Sequence, residues 1–434
     1  MTDRQQLHKK LDGTKTRDLF KELYGTENID IQINRYKKLL VEYYKHFADD
    51  GADLQFFSTS GRTEVGGNHT DHNQGRVIAA AVNFDTIGVA TKTNDNTITL
   101  YSQGYEDVFR VKLDSLEPKA EEEETTTALI RGTAARFNEL GYKFGGFNAY
   151  ISSHVLGGSG LSSSASIEVL LGTILSSLYN KGGVGPEELA MVGQYAENIY
   201  FNKPCGLMDQ MACAVGGFVS IDFGDKSNPV VKKIDFDLKK EGYSLLVVDT
   251  GGSHADLTKD YADIPQEMKE VASKFDKSVL RQVGEDKLIQ NISVLRPCVG
   301  DRAILRSLHF FSEDKRAQAQ FNALQEGRFD DFLALVTESG NSSWKYLQNV
   351  YTNQKPMEQG VTLALALTER YIKEKGFGAC RVHGGGFAGT IQAFIKEEHV
   401  SEYIDYIEEI FGDNSATALA IRSHGTLHLN PLLG

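Results

Sequence analysis

The sequence has little of what marks a secreted or disulfide-stapled protein. Its 434 residues include four cysteines and one tryptophan. The cysteines show no CxxC spacing and are too few for a disulfide scaffold; they are Cys205, Cys213, Cys298 and Cys380. We therefore predict reduced thiols and a cytoplasmic location.

Long apolar runs and an excess of basic charge are also missing. No apolar run approaches the roughly 20 residues that cross a bilayer, and the N-terminal sequence MTDRQQLHKKLDG lacks the apolar core of a signal peptide. Lysine and arginine number 46 against 59 acidic residues, a formal net charge of −13. Because nucleic-acid binding needs a concentrated positive face, this balance disfavours such a partner. We expect neither a membrane nor a nucleic acid as partner.

The composition is that of a globular protein with a large core. A hydrophobic content of 41% over this length predicts two domains, with three as the alternative. The composition changes after Phe223, and we place the boundary there, which gives domains 1–225 and 226–434. The sequence leaves the oligomeric state open.

Hydrophobic periodicity predicts a mixture of helices and strands. An amphipathic helical region is predicted over residues 1–48, with an apolar stripe formed by Leu39, Leu40, Tyr43 and Tyr44. Strands are predicted at 77–87, 147–155 and 243–249, and a helix from Ser166 onward. The alternating segment TKTNDNTITLYS predicts a hairpin near Asp95 and Asn96.

A polar, glycine-rich segment covers residues 61–72 (GRTEVGGNHTDH) and predicts a binding surface. His69, Asp71 and His72 have the residue types of a metal site, but no second ligand cluster completes one. Recognition of sugar hydroxyls fits this segment better, because a hydroxyl needs several polar partners fixed in direction.

A second glycine-rich segment, residues 157–166 (GGSGLSSSAS), lies between a predicted strand and a predicted helix. Glycines allow close backbone approach, and the helix N-terminus adds a positive dipole end, which suits a phosphate. The segment has no lysine, which excludes a Walker A loop. A purely structural turn is the alternative.

Two acidic residues after this segment, Glu197 and Asp209, are candidates for a functional role. Asp209 stands among the apolar residues Leu207, Met208, Met211 and Ala212, which is not typical of a solvated loop. A helix N-cap or a buried ion pair would explain it equally well. Glu197 lies twelve residues earlier and, by itself, reads as a surface glutamate.

Together with a third glycine loop at 383–389 (HGGGFAG), these segments resemble the motifs of the galactokinase family, in family order. This family is part of the GHMP small-molecule kinase superfamily, and the resemblance covers most of the chain. It implies an α+β, two-domain GHMP kinase fold with an S5-like N-terminal α/β domain, a ferredoxin-like C-terminal α/β domain and an active site in the cleft between them. It also implies ATP-dependent phosphorylation of galactose at the anomeric hydroxyl, giving galactose 1-phosphate and ADP.

The resemblance implies a role for particular residues. The ATP phosphates are assigned to Gly157, Gly158, Ser159, Gly160, Leu161, Ser162, Ser163, Ser164 and Ala165. Magnesium is assigned to Ser164 and Glu197, and Asp209 is the general base, with Arg62 beside it. The sugar is assigned to Arg62, Asn68, His69, Asp71, Gly206, Asp209 and Tyr261.

The chain departs from the family at four positions. Asn68 stands where the family has glutamate, His72 where it has tyrosine, Leu156 where the superfamily has proline, and His383 where it has threonine. A neutral amide at Asn68 still hydrogen-bonds a hydroxyl. These changes keep two alternatives open: a kinase for N-acetylgalactosamine, arabinose or a uronic acid, and a galactokinase-like sugar sensor without turnover.

Overall fold

The computed structural model describes residues 3–49, 51, 53–155, 160–203, 205–225, 228–252 and 257–433. The helices are α1 Asp3–Leu11, α2 Thr14–Tyr24, α3 Ile29–His46, α4 Thr126–Glu139, α5 Ser163–Asn180, α6 Pro186–Tyr195, α7 Met208–Val215, α8 Thr258–Ser273, α9 Glu285–Gln290, α10 Ile292–Gln325, α11 Phe329–Ser342, α12 Gly360–Lys375 and α13 Val400–Phe411. The strands are β1 Gln55–Gly66, β2 Arg76–Lys92, β3 Thr97–Ser102, β4 Phe109–Lys112, β5 Phe147–Ser153, β6 Phe218–Asp222, β7 Val230–Ile234, β8 Tyr243–Asp249, β9 Ala379–Val382, β10 Thr390–Lys396, β11 Ala416–Leu419 and β12 Thr426–His428. Two π-helical turns, Ala196–Tyr200 and Ser343–Leu347, follow α6 and α11.

The first sheet is built around the long strand β2. Its order is β12-β1-β2-β5-β3-β4, and β6 pairs with β2 while β7 pairs with β6. The second half of β2 pairs with β5 and its first half with β6. Strands β7 and β12 lie beyond residue 225 and still belong to this sheet, whereas the domain boundary near residue 225 stays a prediction.

The hairpin predicted near Asp95 and Asn96 is wrong. The chain does turn there, with Asn96 at φ 50° and the Asp95 carboxylate accepting from the Thr93 hydroxyl at 2.7 Å. However, β5 lies between β2 and β3, antiparallel to β2 and parallel to β3. The turn residues set a local reversal, but the fully buried face of β5, with Phe147 and Ala149, decides which strands pair.

The second sheet has the order β11-β8-β10-β9, and all of its pairs are antiparallel. One of its faces packs against α12 and α13. Its other face shares a core with the first sheet, where Leu245 and Phe394 meet Ile78 and Phe218 beside α10 and α11. Because the two sheets share this core, the loops at the end of β1 and between β9 and β10 lie together.

The helical N-terminal region and the α+β class are confirmed. Leu39, Leu40 and Tyr43 of α3 are buried against the first sheet, and Tyr44 packs beside them. The predicted strands at 147–155 and 243–249 correspond to β5 and β8, and the helix after the second glycine segment is α5. Among the described residues, no helix is both long and apolar enough to span a membrane.

A buried carboxylate, Asp85, ties the N-terminal helices to the first sheet and to the chain's C-terminal part. It accepts hydrogen bonds from Tyr24 at 2.6 Å, Arg35 at 2.5 Å, Ser58 at 2.5 Å and Arg422 at 3.0 Å. Burial by itself would raise the pKa of Asp85, but the charges of Arg35 and Arg422 outweigh it and hold this pKa below its ordinary value.

We expect Asp85→Asn to lower the free energy of unfolding by about 3–5 kcal/mol, because it leaves two buried guanidinium groups without their counter-ion. Urea unfolding followed by circular dichroism at pH 7 measures this loss. The depressed pKa means that Asp85 stabilises the fold above its unfolded pKa, so the difference should shrink only below about pH 4. Asp30→Asn is the control, because Asp30 pairs with Arg17 in water and is 77% exposed. Equal unfolding midpoints for Asp85→Asn and wild type would contradict this role.

Candidate active site

The polar segment after β1 forms a fixed loop. A Cβ atom at Gly67 would lie 2.2 Å from the Arg76 carbonyl oxygen, so only glycine fits there. In the next turn the backbone of His69 has φ 58°, a left-handed conformation that residues other than glycine rarely adopt. The Thr70 hydroxyl donates to the Gly67 carbonyl at 2.9 Å. Residues 67–73, hereafter called the sugar loop after the role that the sequence predicts for them, are therefore fixed by backbone geometry.

A cavity of about 1310 Å³ opens beside the sugar loop. One wall is a single face of α8, and the opposite wall is the segment from the end of α6 to residue 207. Its lining includes His69, Asp71, His72, Gln194, Asn198, Phe201, Asn202, Lys203, Cys205, Gly206, Leu207, Thr258, Tyr261, Ala262, Pro265, Gln266 and Lys269. Four residues that the sequence assigns to the sugar, namely His69, Asp71, Gly206 and Tyr261, thus line one cavity.

Asp71 and Gly206 meet at the floor of this cavity. One oxygen of Asp71 accepts the His72 backbone N–H at 2.9 Å. The other would lie 1.9 Å from a Cβ atom at Gly206, so any side chain at that position would displace the carboxylate. The pair presents a carboxylate and a bare backbone, which together can bind a polyol closely.

His69 and Tyr261 join the cavity to the third glycine loop. The His69 Nε2 atom lies 3.0 Å from the Gly385 carbonyl oxygen, and the Tyr261 hydroxyl donates to the Gly386 carbonyl at 2.9 Å. Burial, with the nearby charge of His72, lowers the pKa of His69 to about 4. At neutral pH the imidazole is uncharged, so it donates to Gly385 from Nε2 and keeps Nδ1 as an acceptor.

Arg62 and Asp209 form an ion pair. Neither lines the cavity, but Gly206 and Leu207, which precede Asp209 in the chain, do. Arg62 projects from β1 and donates from Nε and Nη2 to the two carboxylate oxygens of Asp209, at 2.7 Å and 2.6 Å. Ser162 also donates to Asp209, and the Arg62 Nη1 donates to the Gly160 carbonyl. Asp209 retains 32% of its side-chain exposure, so the ion pair is open on one side.

The electrostatic balance keeps Asp209 ionised. Burial would raise the pKa of Asp209, but the charge and hydrogen bonds of Arg62 and the Ser162 hydroxyl outweigh burial and lower it. In the same way Asp209 holds the pKa of Arg62 above its ordinary value despite burial. The carboxylate is therefore an acceptor of hydrogen bonds at neutral pH.

The second glycine segment ends at the N-terminus of α5, as its sequence predicts. Gly160 at φ 73° and Ser162 at φ 60° turn the chain into the helix, and the Leu161 carbonyl accepts the Arg62 backbone N–H at 3.0 Å. The described part, residues 160–165, thus presents a helix N-terminus directly beside the Arg62 pair. The predicted phosphate-binding residues Gly157, Gly158 and Ser159 lie outside the described residues, as does Leu156.

Ser164 and Glu197 lie together, as expected for two ligands of one ion. The Ser164 hydroxyl donates to Glu197 Oε1 at 3.2 Å, and Glu197 is buried in the π-helical turn after α6. Lys203 also donates to Oε1, at 3.0 Å, and Gln210 donates to Oε2 at 2.8 Å.

This pair fits magnesium. Within the described ranges, no three His, Cys, Asp or Glu side chains converge as a metal site made by protein alone. Magnesium does not need such a cluster, because it takes one or two protein oxygens and completes its shell with phosphate oxygens and water. The hydroxyl of Ser164 and the carboxylate of Glu197 are hard oxygen ligands of this kind.

The third glycine loop begins with a buried histidine that contacts β1 and β10. His383 Nε2 lies 3.0 Å from the Thr63 hydroxyl, and Nδ1 lies 2.9 Å from the Thr390 hydroxyl. Burial, with the charges of Arg62 and Arg381, lowers the pKa of His383 to about 3. The uncharged ring therefore serves as a structural link between β1 and β10.

Asn68 differs from the prediction of a direct sugar contact, because it has no exposed surface. Its amide nitrogen donates to Glu64 at 2.9 Å and to the Gly384 carbonyl at 2.7 Å, and its oxygen accepts from Asn349 at 2.9 Å. All of these partners are protein groups. The structure therefore places Asn68 behind the cavity wall, where it joins the sugar loop to the third glycine loop.

Sequence reasoning missed the residues that hold Asn68. Glu64 pairs with Arg381 of β9, and both side chains are almost fully buried. Asn349 donates to Asn68 and also, at 3.1 Å, to the Gly385 carbonyl. Glu64 was within the recognised polar segment, and its charge in a buried strand was the available signal. Arg381 and Asn349 lie far from this segment in the sequence, and no local pattern indicates that they contact it.

The comparisons with known proteins agree with this geometry. The family described as GHMP kinases N terminal domain matches residues 128–217, and the galactokinase galactose-binding signature matches residues 42–92. The chain is 29% identical over 387 residues to a galactokinase of Limosilactobacillus reuteri, covering 87% of this chain and 94% of the relative. A galactokinase of Lactococcus lactis subsp. cremoris is 26% identical over 379 residues, covering 86% and 90%.

Solved structures show the fold. The crystal structure of Lactococcus lactis galactokinase complexed with galactose matches with a TM-score of 0.76 at 24% identity, covering 90% of this chain and 99% of that one. Mevalonate kinase of Methanococcus jannaschii matches with a TM-score of 0.59 at 18% identity, covering 85% and 98%. The GHMP kinase fold implied by the motifs is confirmed. The chain therefore has the GHMP kinase fold and resembles the galactokinases over most of its length.

Proposed function

We propose that the protein transfers the γ-phosphoryl group of ATP to the anomeric hydroxyl of galactose, giving galactose 1-phosphate and ADP. The observation that carries this proposal is the position of the Arg62–Asp209 pair. Gly160 and Ser162 of the phosphate-binding segment contact the pair, and Gly206, three residues before Asp209, lines the cavity. The pair therefore stands where a nucleotide and a sugar would meet.

The reaction uses Asp209 as the proton acceptor. Asp209 takes the proton of the anomeric hydroxyl as its oxygen forms a bond to the γ-phosphorus. The bond from that phosphorus to the bridging oxygen breaks, and its electron pair remains on the β-phosphate of ADP. Because the pKa of Asp209 is lowered by Arg62, the carboxylate is a weak base, and positioning with charge stabilisation supplies most of the acceleration.

The nucleotide side consists of residues 160–165 and the Ser164–Glu197 pair. Backbone N–H groups at the start of α5 would bind phosphate oxygens. Ser164 and Glu197 would hold magnesium, which supplies charge neutralisation on the phosphates when bound. Phosphate contacts from Gly157, Gly158 and Ser159 stay predictions.

The sugar side consists of His69, Asp71, Gly206 and Tyr261. Asp71 accepts hydroxyl hydrogen bonds, and the bare backbone at Gly206 lets the ring approach. The uncharged His69 offers Nδ1 as an acceptor, since its Nε2 is used by Gly385. A set that contains fixed acceptors discriminates by the direction of the hydroxyl groups.

We expect the purified protein to phosphorylate galactose faster than N-acetylgalactosamine, arabinose or galacturonic acid, measured as ADP release with magnesium and ATP. Asp209→Asn, which keeps the side-chain volume, should lower kcat with galactose by at least about a hundredfold, the usual contribution of a general base. A wild-type preference for another sugar in the panel would replace galactose in the proposal. Near-normal turnover by Asp209→Asn would remove Asp209 as the base.

We expect Glu197→Gln to raise the magnesium concentration needed for half-maximal nucleotide binding by roughly tenfold, because it removes the charged ligand while Ser164 remains. Calorimetric titration of ADP at several magnesium concentrations measures this shift. Glu187→Gln is the matched control, since Glu187 is an exposed carboxylate on the preceding helix α6. If Glu197→Gln leaves the magnesium dependence unchanged, Glu197 is not a ligand.

We expect Asn68→Asp to raise the KM for galactose by roughly tenfold, the effect of one lost hydrogen bond near a charge. The new carboxylate would face Glu64 and the Gly384 carbonyl and disturb the sugar loop. The KM for ATP should change by less than about threefold, because residues 160–165 do not contact Asn68. Separate kinetics for sugar and ATP, with thermal unfolding as a check on folding, measure this split. A rise confined to ATP would show that Asn68 acts on the nucleotide side.

A further inference from the structure

Lys203 lies where the cavity and the magnesium pair meet. Its ammonium donates to Glu197 Oε1 at 3.0 Å, the same oxygen that accepts from Ser164. Its side chain also lines the cavity, together with Gly206 and Asp71. The lysine side chain is 59% exposed, whereas that of Glu197 is 3% exposed. A mobile cation therefore rests on a fixed, buried carboxylate at the edge of the sugar site.

The backbone at Lys203 is fixed although its side chain is not. Its N–H donates to the Glu197 carbonyl at 3.1 Å, just after the π-helical turn. The ammonium is therefore tethered within one side-chain length of Glu197. The charge of Lys203 also contributes, after Arg62 and Ser162, to the lowered pKa of Asp209. The lysine thus acts electrostatically on both the magnesium pair and the base.

A divalent cation held by Ser164 and Glu197 would weaken the contact between Lys203 and Glu197, because it would repel the ammonium. The lysine, which is 59% exposed, is the group that can move away. The flexible four-carbon stem of lysine allows this movement. The phosphate groups of a bound nucleotide would then offer the ammonium a new negative partner.

Neither the second glycine-rich segment nor Arg62 supplies a mobile cation for these phosphate groups. The phosphate-binding segment 157–166 contains no lysine. Arg62 is held by Asp209 through two nitrogens and by the Gly160 carbonyl through the third. Its guanidinium is therefore fixed. Two lysines line the cavity, Lys203 and Lys269, and Lys203 is the one that contacts the magnesium pair.

We propose that Lys203 is a further catalytic residue: on binding of the magnesium nucleotide it leaves Glu197 and contacts the non-bridging oxygens of the transferred phosphoryl group. This inference rests on the proposed function. The bonds that form and break are those already described for the transfer, and the lysine keeps its proton throughout. Its role is to stabilise the negative charge on the moving group.

The test is the ratio of two nucleotide affinities, measured by calorimetry with saturating magnesium. The probes are ADP and the non-hydrolysable analogue AMP-PNP, of which only the second carries a γ-phosphoryl group. In Lys203→Met the affinity for AMP-PNP should fall by roughly tenfold, the effect of one hydrogen bond to a charged group. The affinity for ADP should stay equal or become tighter, because a competitor for Glu197 is gone.

A second readout is turnover. Lys203→Met should lower kcat by at least about tenfold, as expected when a donor to developing charge is removed, while the KM for sugar changes less than about twofold. Lys203→Arg should restore part of both losses, because it restores the charge. Lys37→Met is the matched control: Lys37 also pairs with a carboxylate, Asp12, at 2.7 Å, but on the N-terminal helices.

Equal changes in the affinities for the two nucleotides, or an unchanged kcat in Lys203→Met, would overturn the proposal and leave Lys203 as a counter-ion of Glu197. A wild-type protein that phosphorylates no aldose would defeat the proposed function instead. In that case the ratio of the nucleotide affinities still decides the role of Lys203. A wild type that binds neither nucleotide overturns both.

Discussion

The ion pair between Arg62 and Asp209 is the interaction on which the site depends. It joins the interior strand β1 to the first turn of α7, and the same guanidinium holds the Gly160 carbonyl at the entrance to α5. One buried arginine therefore sets the distance between the second glycine-rich segment and the residues after Gly206. The two opposite charges neutralise each other inside the protein. Because the Asp209 side chain is 32% exposed, its carboxylate stays accessible to a substrate.

The sugar side depends on the shared core of the two sheets. That core brings the loop between β9 and β10 against the sugar loop, where Asn68 and His69 donate to the Gly384 and Gly385 carbonyls. A glycine is also needed at position 386, because a Cβ atom there would lie 2.0 Å from the backbone carbonyl oxygen of Asn349. The third glycine loop is thus part of the wall that positions the sugar residues, through backbone rather than side chains.

A layer of buried polar groups supports Glu197 from behind. Gln210, the residue after Asp209, donates to Glu197 at 2.8 Å and to Glu168 at 2.9 Å. Burial and the charge of Glu197 raise the pKa of Glu168 well above its ordinary value. Gln210 thus holds both carboxyl groups behind the contact between Ser164 and Glu197.

The sequence by itself determined the fold class, the helical N-terminal region, the order of the three motifs and the candidates His69, Asp71, Gly206, Asp209 and Tyr261. The helical region follows from hydrophobic periodicity, whereas the fold class and the sugar candidates follow from the resemblance of short motifs to the galactokinase family. Tertiary structure alone decided that β5 separates β2 from β3, that Asn68 lies behind the cavity wall, and that Lys203 rests on Glu197. The partners in these cases, such as Arg381 and Asn349 around Asn68, come from distant parts of the chain. Burial and charge pairing between distant residues depend on packing in three dimensions, and no short segment carries that information.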